Sequence, residues 1–537
     1  MRRTVLGGSL AATAALLLLG LFSGTAHAAV PHCYKTTALC AEPLDSIGYR
    51  GAYTGHDEPS LLFYSNTSGS GNSNMYHLQI PTDPKVMPNQ AGTAGTWNFQ
   101  LHPAFWLGMA LCDNQSAPEF THAPCTPNSD ANIFDGENEA APDYIGHHPG
   151  TAFLEVQFYP PGWAPWPPGV SCDATKWCAA MAIFSLLQDQ NSGQLNNLDC
   201  RRRAGTEPAN FAFITNSGVP HAPPAPLSQT DGTFTPDAAT DLFMNSGDKL
   251  TVDIHNGSAG LVVIVNDLTT GKSGSMTASV ANGFAQVNFE PAAASCSQTP
   301  YAFRPMYATS SEHTRVPWAA HSYNVAFSDE IGHFEYCSAI TEEGGDCLAN
   351  NEGTLDDDDT GCFDAAFSLL VPIGGCIASD ADFDGTSYQP DWPGTDPNRG
   401  QDAKYHPTAV TFTSPLFNGT QNYNRVAFET DLPRIEAPDS GGICNRFTGD
   451  NCVNPPPGSN FYPIYTTGSS TQTPNANGHC VWQFGGPYIK GTTNTFGGNS
   501  AAEYGPLLFS FYPNPNPAIR RRTNNFRNVL GSNPCPA

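Results

Sequence analysis

Hydrophobic and polar positions alternate most regularly between Asp241 and Phe289. Over Lys249–His255, Leu250, Val252 and Ile254 fall on one side and Lys249, Thr251, Asp253 and His255 on the other. A period of two sends successive side chains to opposite faces of a strand. Asn256-Gly257 then turns the chain, Leu261–Val265 is a β-branched run, and Thr270-Gly271 marks a second turn before Met276–Val280 and Ala285–Phe289. Such runs, separated by Asn/Gly turns, predict antiparallel strands in a meander. Thr151–Tyr159 alternates as cleanly, with Ala152, Leu154, Val156 and Phe158 on one face and Phe153, Glu155, Gln157 and Tyr159 on the other. One aliphatic face backed by carboxylate, amide and aromatic groups reads as a strand lining an open cleft, with the Pro/Gly/Trp run after it at the rim, or as a plain solvent-exposed face.

Shorter strands are expected at Leu61–Tyr64, Met75–Ile80, Pro208–Thr215, Tyr405–Phe412, Tyr423–Phe428, Cys480–Phe484 and Tyr504–Tyr512. Cys172–Leu187 is Ala-rich and reads as either a strand or one short helix. The aromatic-dense stretch Trp97–Trp106 reads as core or as a platform for sugar rings or peptide side chains. Ser217–Phe234, with its prolines, is a loop, and residues 341–400 form an acidic, loop-like stretch.

Composition narrows the class. The N-terminus carries Arg2-Arg3, an apolar run over Ala11–Phe22 and small residues at Ala26-His27-Ala28, the features of a secretory signal cleaved after Ala28. No later run is long and apolar enough to span a bilayer. The 16 cysteines all follow the signal, and an even count in an exported chain favours disulfides, with Cys172/Cys178 among several close pairs and Cys535 stapling the tail back. The formal charge of −26, from 49 acidic and 23 basic residues, argues against nucleic-acid and anionic-membrane partners. Low charge density with 51 Gly and 47 Pro suits an all-β exported protein, and the acidic excess suits an acid medium. Asn66, Asn114, Asn256 and Asn418 begin glycosylation sequons.

Several groups have the chemistry of a site. Asp380, Asp382 and Asp384, followed by Gly385 and Asp391, match the oxygen positions of a calcium loop, with Asp391 where a Glu is usual. This is either a structural Ca²⁺ site or an acidic turn, and no other cofactor is required. His313, His321, Asp329, Glu330, His333 and Glu335 crowd a short span. His313, His321 and His333, with Glu335 or with His147/His148, offer a Zn or Cu donor set, or they satisfy loop hydrogen bonds. Gly271-Lys272-Ser273 lacks the first glycine of a phosphate loop, and neither a G-x-S-x-G elbow nor H-E-x-x-H occurs. A serine triad is spatial and is not decided by sequence.

The order of an aromatic-rich strand carrying Gln, a Trp/Pro loop, G-D-x-[LI]-x-V-x-[IV], and a hydrophobic strand ending N-x-[LT]-T-x-G runs through Phe153–Trp163, Gly247–Ile254 and Val262–Gly271. It resembles the glutamic peptidases of the eqolisin family over about residues 150–280. The resemblance implies a lectin-like sandwich of two antiparallel sheets. It also implies a Gln–Glu pair in which the carboxyl activates water at acid pH and the amide stabilises the tetrahedral intermediate. Gln157 matches the family glutamine. The family's E-W-I-V-E type strand is absent, so Glu155, Glu330 and Glu335 are partner candidates by position, and His321 joins them as a titratable neighbour. The chain as a whole is also similar to uncharacterised exported proteins of bacteria and fungi, a likeness that implies no function.

The expectation is an all-β, antiparallel β-sandwich of jelly-roll or lectin-like type with long disulfide-stapled loops. Its organisation would be a signal at 1–28, a loop-rich region at 29–142, a sandwich core at 143–340 and an acidic, Cys-rich region with further strands at 341–537. The leading function is a secreted hydrolase of an extracellular polymer, with an acid glutamic-type peptidase foremost. The first alternative is a glycan-active enzyme pairing Glu155 with a carboxylate of 329–335, with Trp97, Trp106, Trp163 and Trp166 for stacking. The second is a non-catalytic carbohydrate- or surface-binding protein.

Overall fold

The computed structural model describes residues 60–82, 105–116, 151–159, 161, 172–173, 175–189, 194–310, 325–329, 410–430, 465–468, 481–484, 507–511, 522–529 and 532–535. These residues form strands with almost no helix. In chain order the strands are β1 (Ser60–Tyr64), β2 (Ser73–Gln79), β3 (Phe105–Cys112), β4 (Thr151–Tyr159), β5 (Cys178–Ser185), β6 (Ala209–Phe213), β7 (Lys249–Asn256), β8 (Leu261–Asp267), β9 (Ser273–Ala278), β10 (Ala285–Val287) and β11 (Gln298–Pro300). They continue as β12 (Val325–Asp329), β13 (Thr411–Phe412), β14 (Leu416–Phe417), β15 (Gln421–Asn422), β16 (Arg425–Thr430), β17 (Tyr465–Gly468), β18 (Val481–Phe484), β19 (Leu507–Phe511) and β20 (Arg522–Val529).

They assemble into two nine-stranded antiparallel sheets and one small hairpin. The front sheet runs β19-β20-β16-β1-β12-β3-β4-β5-β6, and the back sheet runs β17-β18-β13-β2-β7-β8-β9 with β14 and β15 attached. Strands from residues 60–112, 151–329 and 411–529 therefore enter the same two sheets. The sheets stack through one apolar layer. Leu61, Phe63, Leu107, Met109, Leu154, Val156, Met181 and Ile183 from the front meet Tyr76, Leu78, Leu250, Val252, Ile254, Val263, Val265 and Met276 from the back. Phe63 packs edge-on against Tyr76 with centroids 6.4 Å apart. Each buried aliphatic side chain contributes about 1.5–3 kcal/mol, so this layer is the main source of stability.

The central meander forms as the alternation predicts. β7, β8 and β9 pair consecutively, with Val252 opposite Val265 and Val263 opposite Met276. The β7–β8 turn is held by Arg304, which donates to Asn256 Oδ1 at 2.9 Å and to the carbonyls of Gly257 and Ser258 at 2.7 Å. Gly260 has φ +152°, and a Cβ there would stand 2.3 Å from the Ala278 carbonyl oxygen. The expected run 285–289 leaves the meander. β10 pairs with β11 alone, because the chain turns at Asn282 and Gly283, whose φ is +84°.

The Ala-rich stretch is strand β5, and Asn197 caps a short helix, α1 (Leu198–Arg203), whose last turn holds the Arg201–Arg203 cluster. Cationic side chains suit the negative end of the helix dipole. Cys200 of α1 is bonded to Cys296, and Cys172 is bonded to Cys178 as the close spacing suggests. Cys535 is buried and disulfide-bonded, and its carbonyl accepts a hydrogen bond from Ser414 Oγ at 2.5 Å, so the tail is tied to the body.

The outermost strands on one side, β6 and β9, are sewn together. Just beyond β6, Thr215 exchanges backbone hydrogen bonds with Ser275 of β9, at 2.9 and 3.3 Å, and bridges to Asp241 as well. Gly274 permits the approach, since a Cβ there would meet Leu242 Cβ at 2.9 Å and Ile214 Cγ2 at 3.0 Å. A sheet edge closed in this way offers no free backbone ladder to another chain. Among the described residues no helix is long and apolar enough to cross a membrane.

Candidate functional site

β4 is the third strand from the β6 edge of the front sheet, flanked by β3 and β5. Its inward residues, Ala152, Leu154, Val156 and Phe158, belong to the inter-sheet core. Its outward residues are Phe153, Glu155, Gln157 and Tyr159, as the alternation requires. Across the ladder, Glu155 stands between Gly108 of β3 and Ala182 of β5, and Gln157 between Trp106 and Ala180. Phe153 lies between Ala110 and Phe184, and stacks on Phe184 with centroids 5.3 Å apart. Trp106, Phe153, Phe184, Phe211 and Phe213 form a second apolar cluster on the same face.

Three polar side chains on this face are linked. Tyr159 Oη donates to Gln157 Oε1, and Gln157 Nε2 donates to Glu155 Oε2. Residues i, i+2 and i+4 of a strand share a face, so the chain of bonds follows from the spacing. Exposure falls along it: Tyr159 and Gln157 are partly exposed, and Glu155 is fully buried. The sequence predicts an open cleft here, yet the carboxylate end lies under cover. Trp106 is buried as well, and residues 97–104 of the aromatic stretch lie outside the described residues.

The geometry can do acid–base chemistry. A carboxylate that accepts from an amide is held in one orientation, and the amide keeps a second N–H for another acceptor. Of the other sequence candidates, Glu330, Glu335 and His321 lie outside the described residues, as do His313, His333, His147, His148 and the loop of Asp380, Asp382, Asp384 and Asp391. Among the described residues no three His, Cys, Asp or Glu side chains gather as a metal donor set.

Other polar clusters are accounted for by structure. Asp113, just past β3, is fully buried and accepts from Ser185 Oγ, from Gln286 Nε2 at 2.6 Å, and from the backbone N–H groups of Gln115 and Ser116 at 2.8 and 3.2 Å. Burial pushes its carboxyl up, and the four donors oppose that. Sequence reasoning missed it, because nothing local marks a cluster whose members are 70 to 170 positions apart.

His221 donates from Nδ1 to Asp241 Oδ1 at 2.8 Å and faces the Gly232 carbonyl with Nε2 at 2.9 Å. Both nitrogens meet acceptors, so the ring suits the imidazolium form and has no free nitrogen for a base. The Asp241 hydrogen bond raises its pKa, against an opposing contribution from burial. The G-D and T-T-G pieces also have turn roles. Asp248 accepts from Asn245 N at 2.6 Å, and Asp267 accepts from Thr269 N and Thr270 N at 2.9 and 3.0 Å. Burial pushes the Asp248 carboxyl up, and its contact with Asp267 adds to this.

A serine, a histidine and an aspartate do share the outer face of the back sheet. Ser73 stands opposite His255, whose Nδ1 is 3.2 Å from Asp253 Oδ1. The backbone N–H groups there belong to the β2–β7–β8 ladders, so among the described residues of these strands no donors converge as an oxyanion site requires.

No family model, curated protein or solved structure matches the chain.

Proposed function

We propose that the chain is a secreted hydrolase of an extracellular polymer, acting as an acid glutamic-type peptidase on the outer face of β4. The observation that carries this reading is the hydrogen bond from Gln157 Nε2 to Glu155 Oε2, on a strand face floored by Gly108, Ala180 and Ala182. In this reading Glu155 takes a proton from water as the oxygen adds to the scissile carbonyl, and then returns it to the leaving amine. The second N–H of Gln157 donates to the oxyanion of the tetrahedral intermediate. The disulfides Cys172–Cys178 and Cys200–Cys296 support an oxidising, extracellular setting. A structural Ca²⁺ at Asp380, Asp382, Asp384 and Asp391 is compatible with it.

Full burial of Glu155 favours a second reading, a non-catalytic secreted binding protein in which the polar chain only fixes the strand. A retaining glycosidase ranks below both. It needs a second carboxyl about 5–5.5 Å away, and the candidates Glu330 and Glu335 lie outside the described residues.

The test is peptide release from a denatured protein by the purified chain between pH 2 and 8, with and without pepstatin and a chelator. The peptidase reading expects pepstatin-resistant cleavage that peaks below pH 5, survives chelation and disappears in Glu155→Ala and Gln157→Ala. No cleavage at any pH, together with retention on a polysaccharide or cell surface, selects the binding protein.

A further inference from the structure

We propose that residues 217–240 form a strap over the edge strand β6, and that one proton held between His221 and Asp241 keeps the strap shut at its near end. As that proton leaves, the near end is released. The inference goes beyond the peptidase reading and does not depend on it.

The strap lies along the open side of the last strand of the front sheet. The Pro224 carbonyl accepts from the Phe211 N–H at 3.1 Å, and Gln229 Nε2 donates to the carbonyls of Ala209 and Pro224, both at 2.8 Å. These contacts take up backbone groups that an edge strand would otherwise offer to another chain. Phe234 is buried against Phe211 with centroids 5.0 Å apart, and the His221 ring stacks on Phe213 at 5.7 Å. The far end is tied by amides, which do not titrate: Leu227 N donates to Gln298 Oε1 at 3.0 Å, and Gln298 Nε2 donates to Ser228 Oγ at 2.9 Å. The near end is poor in backbone donors, because Pro220, Pro223, Pro224 and Pro226 have no N–H. His221 fastens it, joining the start of the strap to the Gly232 turn and to Asp241 just past the strap's end.

That fastening requires a fixed number of protons. The Gly232 carbonyl only accepts, so Nε2 carries a hydrogen. Asp241 Oδ2 accepts from the Asp237 N–H at 2.7 Å, and Oδ1 faces Nδ1 at 2.8 Å. A second hydrogen therefore lies between Nδ1 and Oδ1. Imidazolium with carboxylate and imidazole with carboxylic acid hold the same number, so the count does not depend on which partner carries it. Without it, two acceptors stand face to face: Nδ1 against Oδ1 or, in the other tautomer, Nε2 against the carbonyl. The charges beside the ring are the carboxylates of Asp241 and Asp237; Asp231, in the Gly232 turn, is exposed, and β6 (ANFAF) carries none. The Asp241 hydrogen bond raises the His221 pKa and burial opposes it, so the fastening is complete at acid pH and is lost as pH rises through a value above the ordinary 6.5.

The test is backbone amide exchange in the full chain at pH 5 and pH 8, corrected for the intrinsic rates. One proton limits the change in protection to about tenfold per pH unit. The expected result is a fall on the order of tenfold or more at Phe211, whose N–H meets Pro224, and at Thr233, in the turn that His221 holds, with the β7–β8 ladder unchanged. His221→Gln has no titrating ring, so protection there should be low and equal at both pH values. Asp241→Asn is the opposite case. Its amide can donate to Nδ1 of the neutral ring while Nε2–H still meets the Gly232 carbonyl, so the strap should stay shut at both. Equal protection of the parent at pH 5 and pH 8 overturns the proposal. So does an equal loss along the β7–β8 ladder, which is general destabilisation, and so does an Asp241→Asn chain that opens with pH as the parent does. None of these readouts involves cleavage, so the peptidase reading stands or falls separately.

Discussion

The outer faces of the two sheets are opposites. On the back sheet, β7 and β8 alternate between buried and half-exposed positions, with Thr251, Asp253, Val262 and Ile264 on the wet side. On the front sheet, β3, β5 and β6 are buried at every position, and the outward side chains form a second core. A polar residue on the back sheet trades water for little and costs little. Glu155, set into the second core, has given up its water, so the hydrogen bond it accepts from Gln157 weighs far more. The same residue type therefore carries different information on the two faces.

The largest expected effect is on activity. Glu155→Ala should lower kcat by about 10²–10⁴-fold if the carboxylate is the general base, and Gln157→Ala by about 10²–10³-fold if the amide holds the oxyanion. Peptide-release kinetics at the optimum pH check both. Stability comes next. Phe153→Ala, in the second core, should cost about 3–5 kcal/mol, while Ile264→Ala, at a partly exposed position on the back sheet, should cost far less; urea titration measures the pair. Equal costs would break the contrast between the faces.

A pH effect follows. The His221 pKa is raised in the fold, so its contribution is fully present below the unfolded value near 6.5 and is lost as pH rises through the folded one. The thermal midpoint should therefore fall as pH rises above about 6.5, and His221→Gln should flatten that fall. Asp248, also raised, favours the fold when protonated, so Asp248→Asn should raise the midpoint at neutral pH and change it little near pH 3. The smallest effect belongs to the exposed back face, where Asp253→Asn should change stability by no more than about 0.5 kcal/mol.

The same contrast explains what could be read from sequence. Alternation is visible where one face is wet, which is why β7 and β8 stand out; β4 stands out because polar Glu155 and Gln157 interrupt its apolar run, although Glu155 is buried. β5 is apolar on both faces, so its residues fit a strand or a helix equally until the pairing with β4 and β6 decides. β20, with the sequence RTNNFRNV, has no apolar period and is a strand because β16 and β19 pair with it. Gln157 and Glu155 were legible as a pair of positions on one face. Their bond to Tyr159, the His221–Asp241 contact and the Asp113 cluster depend on side-chain directions and distant chain segments, to which local pattern is blind.

The order of the front sheet also sets a timetable. Leu62 stands opposite Ala326 on one side and Ala427 on the other, and β16 leans in turn on β20. The β7–β8–β9 meander can close as soon as it is made, whereas β1 must wait for partners hundreds of residues downstream. Closing such long loops is entropically costly, and folds dominated by distant pairings assemble slowly. A nascent chain stopped before residue 411 would hold a finished hairpin array and an open, aggregation-prone front sheet. The front sheet is thus completed only after the late strands β16 and β20 arrive.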